Sequence, residues 1–200
     1  MITKEQIAEQ YQQIQNEICA GLELADGEGK FQEEIWNRDG GGGGRTRIIQ
    51  NGNVLEKAGV NFSAVHGKLP DAIKKAFFAT GVSIVIHPNN PWIPIIHMNI
   101  RYFEMLGEAG KELRWFGGGI DLTPHFVIED DARFFHRSLK HTCDKFHSDF
   151  YSKFKNWADD YFFIKHRQET RGIGGIFYDR LNPQSTGLEW SDIFEFSKAV

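Results

Sequence analysis

The sequence predicts an α+β fold, a large antiparallel β-sheet flanked by α-helices, in a single domain over residues 1–200. Three features predict it. Asn51-Gly52 separates two extended runs and is the strongest short hairpin signal. Residues 82–87 and 95–103 alternate between apolar and polar on either side of the turn-forming cluster PNNPW. Helical periodicity brackets this strand-rich middle, at Ile7, Tyr11, Ile14 and Ile18 and again at Phe135, Leu139, Thr142 and Phe146. Hairpin-joined strands with helices set apart from them belong to the α+β class.

Taken in order, Thr3 and Gln6 form a capping box for a first helix expected to end near Gly21. Residues 26–29 read as a turn and 31–38 as a strand. Five consecutive glycines at 40–44 suggest a mobile loop; no Lys-Ser/Thr follows them, which argues against a phosphate-binding loop. Runs 45–50 and 53–58 flank the Asn-Gly turn, 60–66 reads as another strand, and 70–79 as a short helix with Ile73, Ala76 and Phe77 apolar. Strands at 82–87 and 95–103 pair as a hairpin. A helix begins at Glu129, and a second, at 148–163, buries Phe150, Phe154, Trp157 and Tyr161. A strand at 176–178 and a loop at 182–187 lead to a last helix, capped by Asp192 with Glu195 and running to Val200 without a stop signal.

Composition excludes several function classes. A net charge of −4 leaves no electrostatic footprint for nucleic acid. No apolar run reaches transmembrane length and the N-terminus has no signal-peptide apolar region, so a cytoplasmic protein is expected. Cys19 and Cys143 show no CxxC spacing, which argues against a disulfide framework or a thiolate zinc site. The 17 phenylalanines imply an aromatic-rich core or pocket.

The candidate chemistry gathers at residues 81–125. On the 95–103 strand, Ile96, Met98, Ile100 and Tyr102 form an apolar face, while Ile95, His97, Asn99, Arg101 and Phe103 share the other. Hairpin pairing would add Ser83 and His87 to that second face. Such a patch is either the solvated side of a half-exposed sheet or a site. The strongly apolar neighbours favour a site, since a solvent face carries Lys, Glu and Thr more often. Asp121 follows three glycines and lies between Ile120 and Leu122. A carboxylate so placed is either hydrogen-bonded structurally or kept for chemistry. Arg45 and Arg47 alternate along their strand, as surface charge or as anchors for carboxylates.

The stretch VSIVIHPNNPWIPIIHMNIRYFE followed by WFGGGIDLTP resembles the oxygen-dependent coproporphyrinogen III oxidase family. The resemblance extends to GGGGRTRIIQNGNVLEKAGVNFSAVHG upstream, and to EDDARFFH and KHRQETRGIGGIFYD downstream. It implies a large antiparallel sheet with helices on both sides and a substrate cleft along it. It also implies the substrate, coproporphyrinogen III, two of whose four propionates become vinyl groups with O2 as co-substrate and no organic cofactor. By motif, the catalytic residues are Asp121, which accepts pyrrole N–H groups, and His97, a proton donor. Arg101 is the propionate anchor, and Ser83, Asn99 and Ile100 are further substrate-binding positions. Some members are ascribed a divalent metal cation on four histidines matching His87, His97, His136 and His166; others work without metal. Four imidazoles with no carboxylate suit zinc or copper better than manganese. The resemblance implies a homodimer too, and members that continue beyond position 200, so the chain is expected to be C-terminally truncated relative to the family. Two readings compete with the oxidase: a histidine-metal-dependent enzyme and a non-catalytic tetrapyrrole-binding protein.

Overall fold

The structure, a computed structural model describing residues 2–68, 76–106 and 112–200, begins with the capping box expected at Thr3 and Gln6, which starts α1 (Lys4–Asp26). The helix does not stop at Gly21. One glycine costs a helix only about 1 kcal/mol, and Leu22 beyond it still packs on the core. Gly27, at φ 84°, ends it. The buried stripe is Ile7, Tyr11, Gln15 and Cys19, with Ile14 and Ile18 at its margin. Gln15 can be buried because its amide is satisfied: Nε2 donates to the Arg45 and Val60 carbonyls, and Oε1 accepts from Arg45 Nε, all at 2.8 Å.

Six strands follow as an antiparallel meander: β1 (Gln32–Asn37), β2 (Gly42–Gln50), β3 (Leu55–Lys68), β4 (Ala76–Pro88), β5 (Ile95–Leu106) and β6 (Glu112–Thr123). The β2–β3 turn is the expected Asn51-Gly52, with Asn51 at φ 56°. Buried Asp26 fixes this end of the sheet. Its carboxylate accepts from the backbone N–H groups of Leu55, Gly29, Val54 and Asn53 at 2.7–3.0 Å. Those bonds, Leu55 first, hold it well below the usual carboxylate range against the opposing effect of burial.

Three expectations change here. Gly42, Gly43 and Gly44 are not a mobile loop but part of β2, all three paired with β3 and Gly43 and Gly44 with β1 as well. A Cβ on Gly43 would lie 2.2 Å from the Trp36 carbonyl, so the run serves close strand approach. The strands expected at 53–58 and 60–66 merge into β3, because Gly59 keeps its place in the ladder between Ile48 and Val85. Of the helix expected at 70–79, residues 70–75 lie outside the described residues; 76–79 are strand, paired with β3 and, from Phe77, with β5.

Next come α2 (Glu129–Asp144), α3 (Phe150–Tyr161), a ribbon of β7 (Phe163–Ile164) and β8 (Glu169–Thr170), and β9 (Gly175–Leu181), which pairs antiparallel with β6. The sheet therefore has seven strands in the order β1-β2-β3-β4-β5-β6-β9. A single helical turn, α4 (Pro183–Thr186), replaces the expected loop, and α5 (Trp190–Ala199) starts before Asp192 with no side-chain cap.

Helices α1 and α5 cover one face of the sheet. Tyr11 and Ser197 join them by a 2.9 Å hydrogen bond between hydroxyls, above buried Val60, Val82, Ile84, Ile100, Phe116 and Tyr178. The other face is open among the described residues, apart from the end of α3, where Trp157 and Tyr161 pack on Phe177. Helical layers on both sides are thus not a property of the described residues. Trp157 and Tyr161, expected in the core, are 37% and 60% exposed beside this open face.

Candidate active-site cleft

Residues directly opposite in an antiparallel ladder share a face, so pairing decides what meets on the open side. Ser83 pairs with Asn99 and Asn99 with Gly119; Val85 pairs with His97 and His97 with Asp121; Gly81 pairs with Arg101 and Arg101 with Gly117. The polar face expected of the hairpin therefore forms, and β6 adds Asp121 to it. These side chains line a cleft of about 220 Å³, walled by Tyr161, Phe162 and Phe177.

Asp121 forms the floor and is 1% exposed. A buried carboxylate must be paired, and Arg171 pairs it in two-pronged fashion: Nη2 donates to Oδ1 at 2.7 Å and Nε to Oδ2 at 3.1 Å. His97 Nδ1 stands 3.6 Å from Asp121 Oδ2, beyond hydrogen-bond reach, and is buried with no partner. Burial holds His97 below its ordinary pKa; the Asp121 charge opposes this, while Arg171 and His87 reinforce it. Burial thus favours the neutral ring.

Arg101 is held from two sides. Its Nη1 donates to Asn99 Oδ1 at 2.8 Å and its Nη2 to Asp179 Oδ1 at 3.0 Å. The pair meets over Gly117, where a Cβ would sit 2.5 Å from Asp179 Oδ1 and 2.9 Å from Arg101 Nε. Glycine is needed there for space.

Residues 6–200 match the family described as coproporphyrinogen III oxidase. The chain belongs to the coproporphyrinogen III oxidase family. It is 52% identical over 188 residues to the oxygen-dependent coproporphyrinogen-III oxidase of Synechococcus sp. (strain CC9902), covering 90% of this chain and 51% of that one. It is 53% identical over 176 residues to the protein of that name in Prochlorococcus marinus (strain NATL1A), covering 84% and 49%. It is 55% identical over 175 residues to that of Parasynechococcus marenigrum (strain WH8102), covering 83% and 47%. The chain spans about half the length of these curated relatives. No described helix is long and apolar enough to cross a membrane.

Of the positions singled out by the family motifs, Ser83, His97, Asn99, Arg101 and Asp121 come together in the cleft. Ile100 does not. Strand alternation turns its side chain into the core, where it is 2% exposed. Arg45 and Arg47 also lie away from the cleft. Arg45 pairs with Phe62 and Phe62 with Val82, which puts both arginines under α1. There Arg45 donates to Gln15 and Asn16, and Arg47 pairs with Glu33 at 2.8 Å.

The family's four-histidine metal set does not fit this arrangement. Nε2 of His136 lies 3.0 Å from the Ile173 carbonyl and its Nδ1 3.0 Å from the Tyr151 hydroxyl, so both ring nitrogens are engaged. His166 is exposed in the β7–β8 turn. His87 and His97 stand on the cleft face, but no group of three or more His, Cys, Asp or Glu among the described residues could hold a metal ion.

Two charged groups were not singled out from the sequence: Arg171, which lines the cleft, and Asp179, which holds Arg101. Arg171 lies 50 positions from its partner Asp121. It is placed by a backbone clamp in which Ile173 N–H donates to the Leu122 carbonyl and Leu122 N–H to that of Gly174. Gly172, at φ 71°, comes so close that a Cβ would lie 2.1 Å from the Leu122 oxygen. The guanidinium also stacks 4.4 Å above the Phe162 ring. The glycines around Arg171 were a signal of close approach, but not of what is approached. Asp179 shares a strand face with Phe177 by simple alternation, which the short strand expected at 176–178 cut off.

Proposed function

We propose that this chain carries the sheet side of an oxygen-dependent coproporphyrinogen III oxidase site, where two propionates of coproporphyrinogen III become vinyl groups and the product is protoporphyrinogen IX. At each arm, –CH2–CH2–COOH and O2 give –CH=CH2, CO2 and H2O2. One C–C bond, one C–H bond and the carboxyl O–H bond break, and O2 takes up two electrons and two protons. The observation that carries the reading is the gathering of Asp121, His97 and Arg101 on one open face walled by aromatic rings.

Each group has a part that follows from its chemistry. The Arg101 fork grips a propionate, and Asn99 and Asp179 aim it. Ser83 contributes a hydroxyl donor beside it. A carboxylate has about four acceptor sites; Arg171 uses two of those on Asp121, which leaves two for pyrrole N–H groups. His97, whose burial favours the neutral ring, accepts the proton released from the propionate arm and becomes the donor to reduced oxygen. O2 is the oxidant, and the reading invokes no organic cofactor. It carries with it the cytoplasmic homodimer that the family resemblance implies; the buried, unpaired Cys19 and Cys143 fit a reducing compartment.

The test is to incubate metal-stripped chain with coproporphyrinogen III in air and under argon, then read vinyl-porphyrin fluorescence after oxidation. Product in air alone is expected. Equal product under argon would reject the oxidase reading, and tight binding without product would favour the non-catalytic tetrapyrrole-binding one.

A further inference from the structure

We propose that the tetrapyrrole site continues beyond the reacting centre across β4, β3 and β2, where Asn61 and Thr46 hydrogen-bond the carboxylate arms that do not react. The proposal rests on the oxidase reading of the cleft and deepens it.

Three observations carry it. First, Thr46 pairs with Asn61, Asn61 with Ser83, and Ser83 with Asn99. Four polar side chains thus stand directly opposite one another on four adjacent strands of the open face. With strands about 4.8 Å apart, the row spans roughly 14 Å, the scale of a macrocycle with extended arms rather than of one small anion.

Second, the open face bears a further cleft of about 470 Å³ that shares Ser83, Asn99 and Arg101 with the first. Its remaining lining includes Trp36, Thr46, Asn61, Ser63, Ala79 and Phe103. The volume lies within the range of small-molecule sites, about 300–1,000 Å³. Trp36 and Phe103 supply apolar walls for pyrrole rings, while small Ser63 and Ala79 leave the space between them.

Third, the two ends of the row differ in how they are satisfied. At the Asp121 end, the polar groups bond one another: Arg101 to Asn99 and Asp179, Arg171 to Asp121. At the other end, the side chains of Asn61, exposed, and Thr46, half-buried, make no hydrogen bond to any described residue. They offer an amide and a hydroxyl with donors unused. Neutral donors orient a carboxylate without the fixed charge of Arg101. That suits arms which must be located but are not the ones transformed.

The experiment titrates the chain with coproporphyrin III, the stable oxidised form bearing the same four propionates, and with its tetramethyl ester, using ligand fluorescence. Variants are N61L and T46V, which remove the donors at similar size, and A79F, which fills the cleft; E56Q, an exposed site off the cleft, is the control. Circular dichroism and melting establish that each is folded. N61L and T46V should each weaken coproporphyrin binding about fivefold, the worth of one hydrogen bond. A79F should weaken it more, E56Q should not, and the ester, whose carbonyls are weaker acceptors than carboxylates, should lose less on N61L and T46V than coproporphyrin does. If wild type binds and all three cleft variants bind equally well, this inference is overturned while the oxidase reading stands. If wild type binds no coproporphyrin, both are overturned.

Discussion

Replacing Arg171 with methionine keeps an unbranched side chain but removes the cation that spans both oxygens of Asp121. The Asp121 side chain is 2% exposed and that of Arg171 39%. The variant therefore strands a nearly fully buried carboxylate, whereas the lost guanidinium was partly solvated. Breaking a fully buried ion pair costs about 3–5 kcal/mol, and an exposed one less than about 1 kcal/mol. One buried and one partly exposed partner place R171M between these, at about 2–3 kcal/mol. For a chain of 200 residues, each kcal/mol moves Tm by roughly 2–4 °C, so a fall of about 5–10 °C is expected. D121N should cost less, about 1 kcal/mol, because the freed guanidinium can turn towards solvent. In the double variant R171M/D121N no charge is left buried. Its loss should be smaller than the sum of the single losses by about 1.5 kcal/mol, measured as a cycle of four urea unfolding curves at pH 7. Additivity within about 0.5 kcal/mol would refute the coupling, and with it the claim that Arg171 is what allows a carboxylate on the cleft floor.

Three further outcomes are expected. R101K keeps the charge but loses the fork that reaches Asn99 and Asp179 at once; coproporphyrin should bind about tenfold more weakly with little change in Tm, as read by fluorescence titration and melting. The Asp26 carboxyl titrates below its unfolded value, so its stabilisation is present above about pH 4 and lost as pH falls through the depressed folded value; D26N should be less stable at pH 7 and should flatten the acid limb of a stability-against-pH curve. Burial pushes the Cys143 thiol up to about 12 and raises Tyr11, Tyr102 and Tyr178 as well. The unfolded chain releases those protons first, so stability should fall as pH rises above about 8.5, and Cys143 should resist thiol reagents until the chain is unfolded.

What could be read from the sequence follows a physical division. The β4–β5 hairpin, the Asn51-Gly52 turn and the α1 capping box were legible because turn chemistry, alternation and capping are local. The glycine run at 40–44 misled for the opposite reason. Glycine permits both a flexible loop and close strand approach, and only the backbones of Trp36 on β1 and Ala64 on β3 decide between them. Gln15 was invisible as a core residue because its burial depends on carbonyls supplied by β2 and β3. In the site, Ser83, His97, Asn99 and Arg101 were found by strand period. Asp121 and its neighbours were placed by family motif, and Arg171 and Asp179 required the return of the chain through β9.

The division between core and cleft reduces to parity. Beyond the register shift between Leu55 and Lys57, the pairs of β3–β4, β4–β5 and β5–β6 sum to an even number, as in Phe62 with Val82, Ser83 with Asn99 and His97 with Asp121. Even positions on these central strands therefore face α1 and α5, and odd positions face the cleft. Residues 82, 84, 86, 98, 100, 102, 116 and 120 are buried hydrophobics, while 83, 97, 99, 101 and 121 carry the polar chemistry. Pairing between β2 and β3 sums to an odd number, as in Arg45 with Phe62. The parity flips there, which is why Arg45 and Arg47 go under the helix and Thr46 joins the cleft row. On the proposed reading, a strand that alternates this way lets substitution at even positions act on stability and at odd positions on ligand binding. Asp121 breaks the separation: it is an odd, cleft-side residue that is as buried as the core, so its environment must satisfy folding as well as the cleft role proposed for it. Arg171 meets both demands, because a two-pronged guanidinium stabilises the buried charge yet leaves acceptor sites open to a ligand.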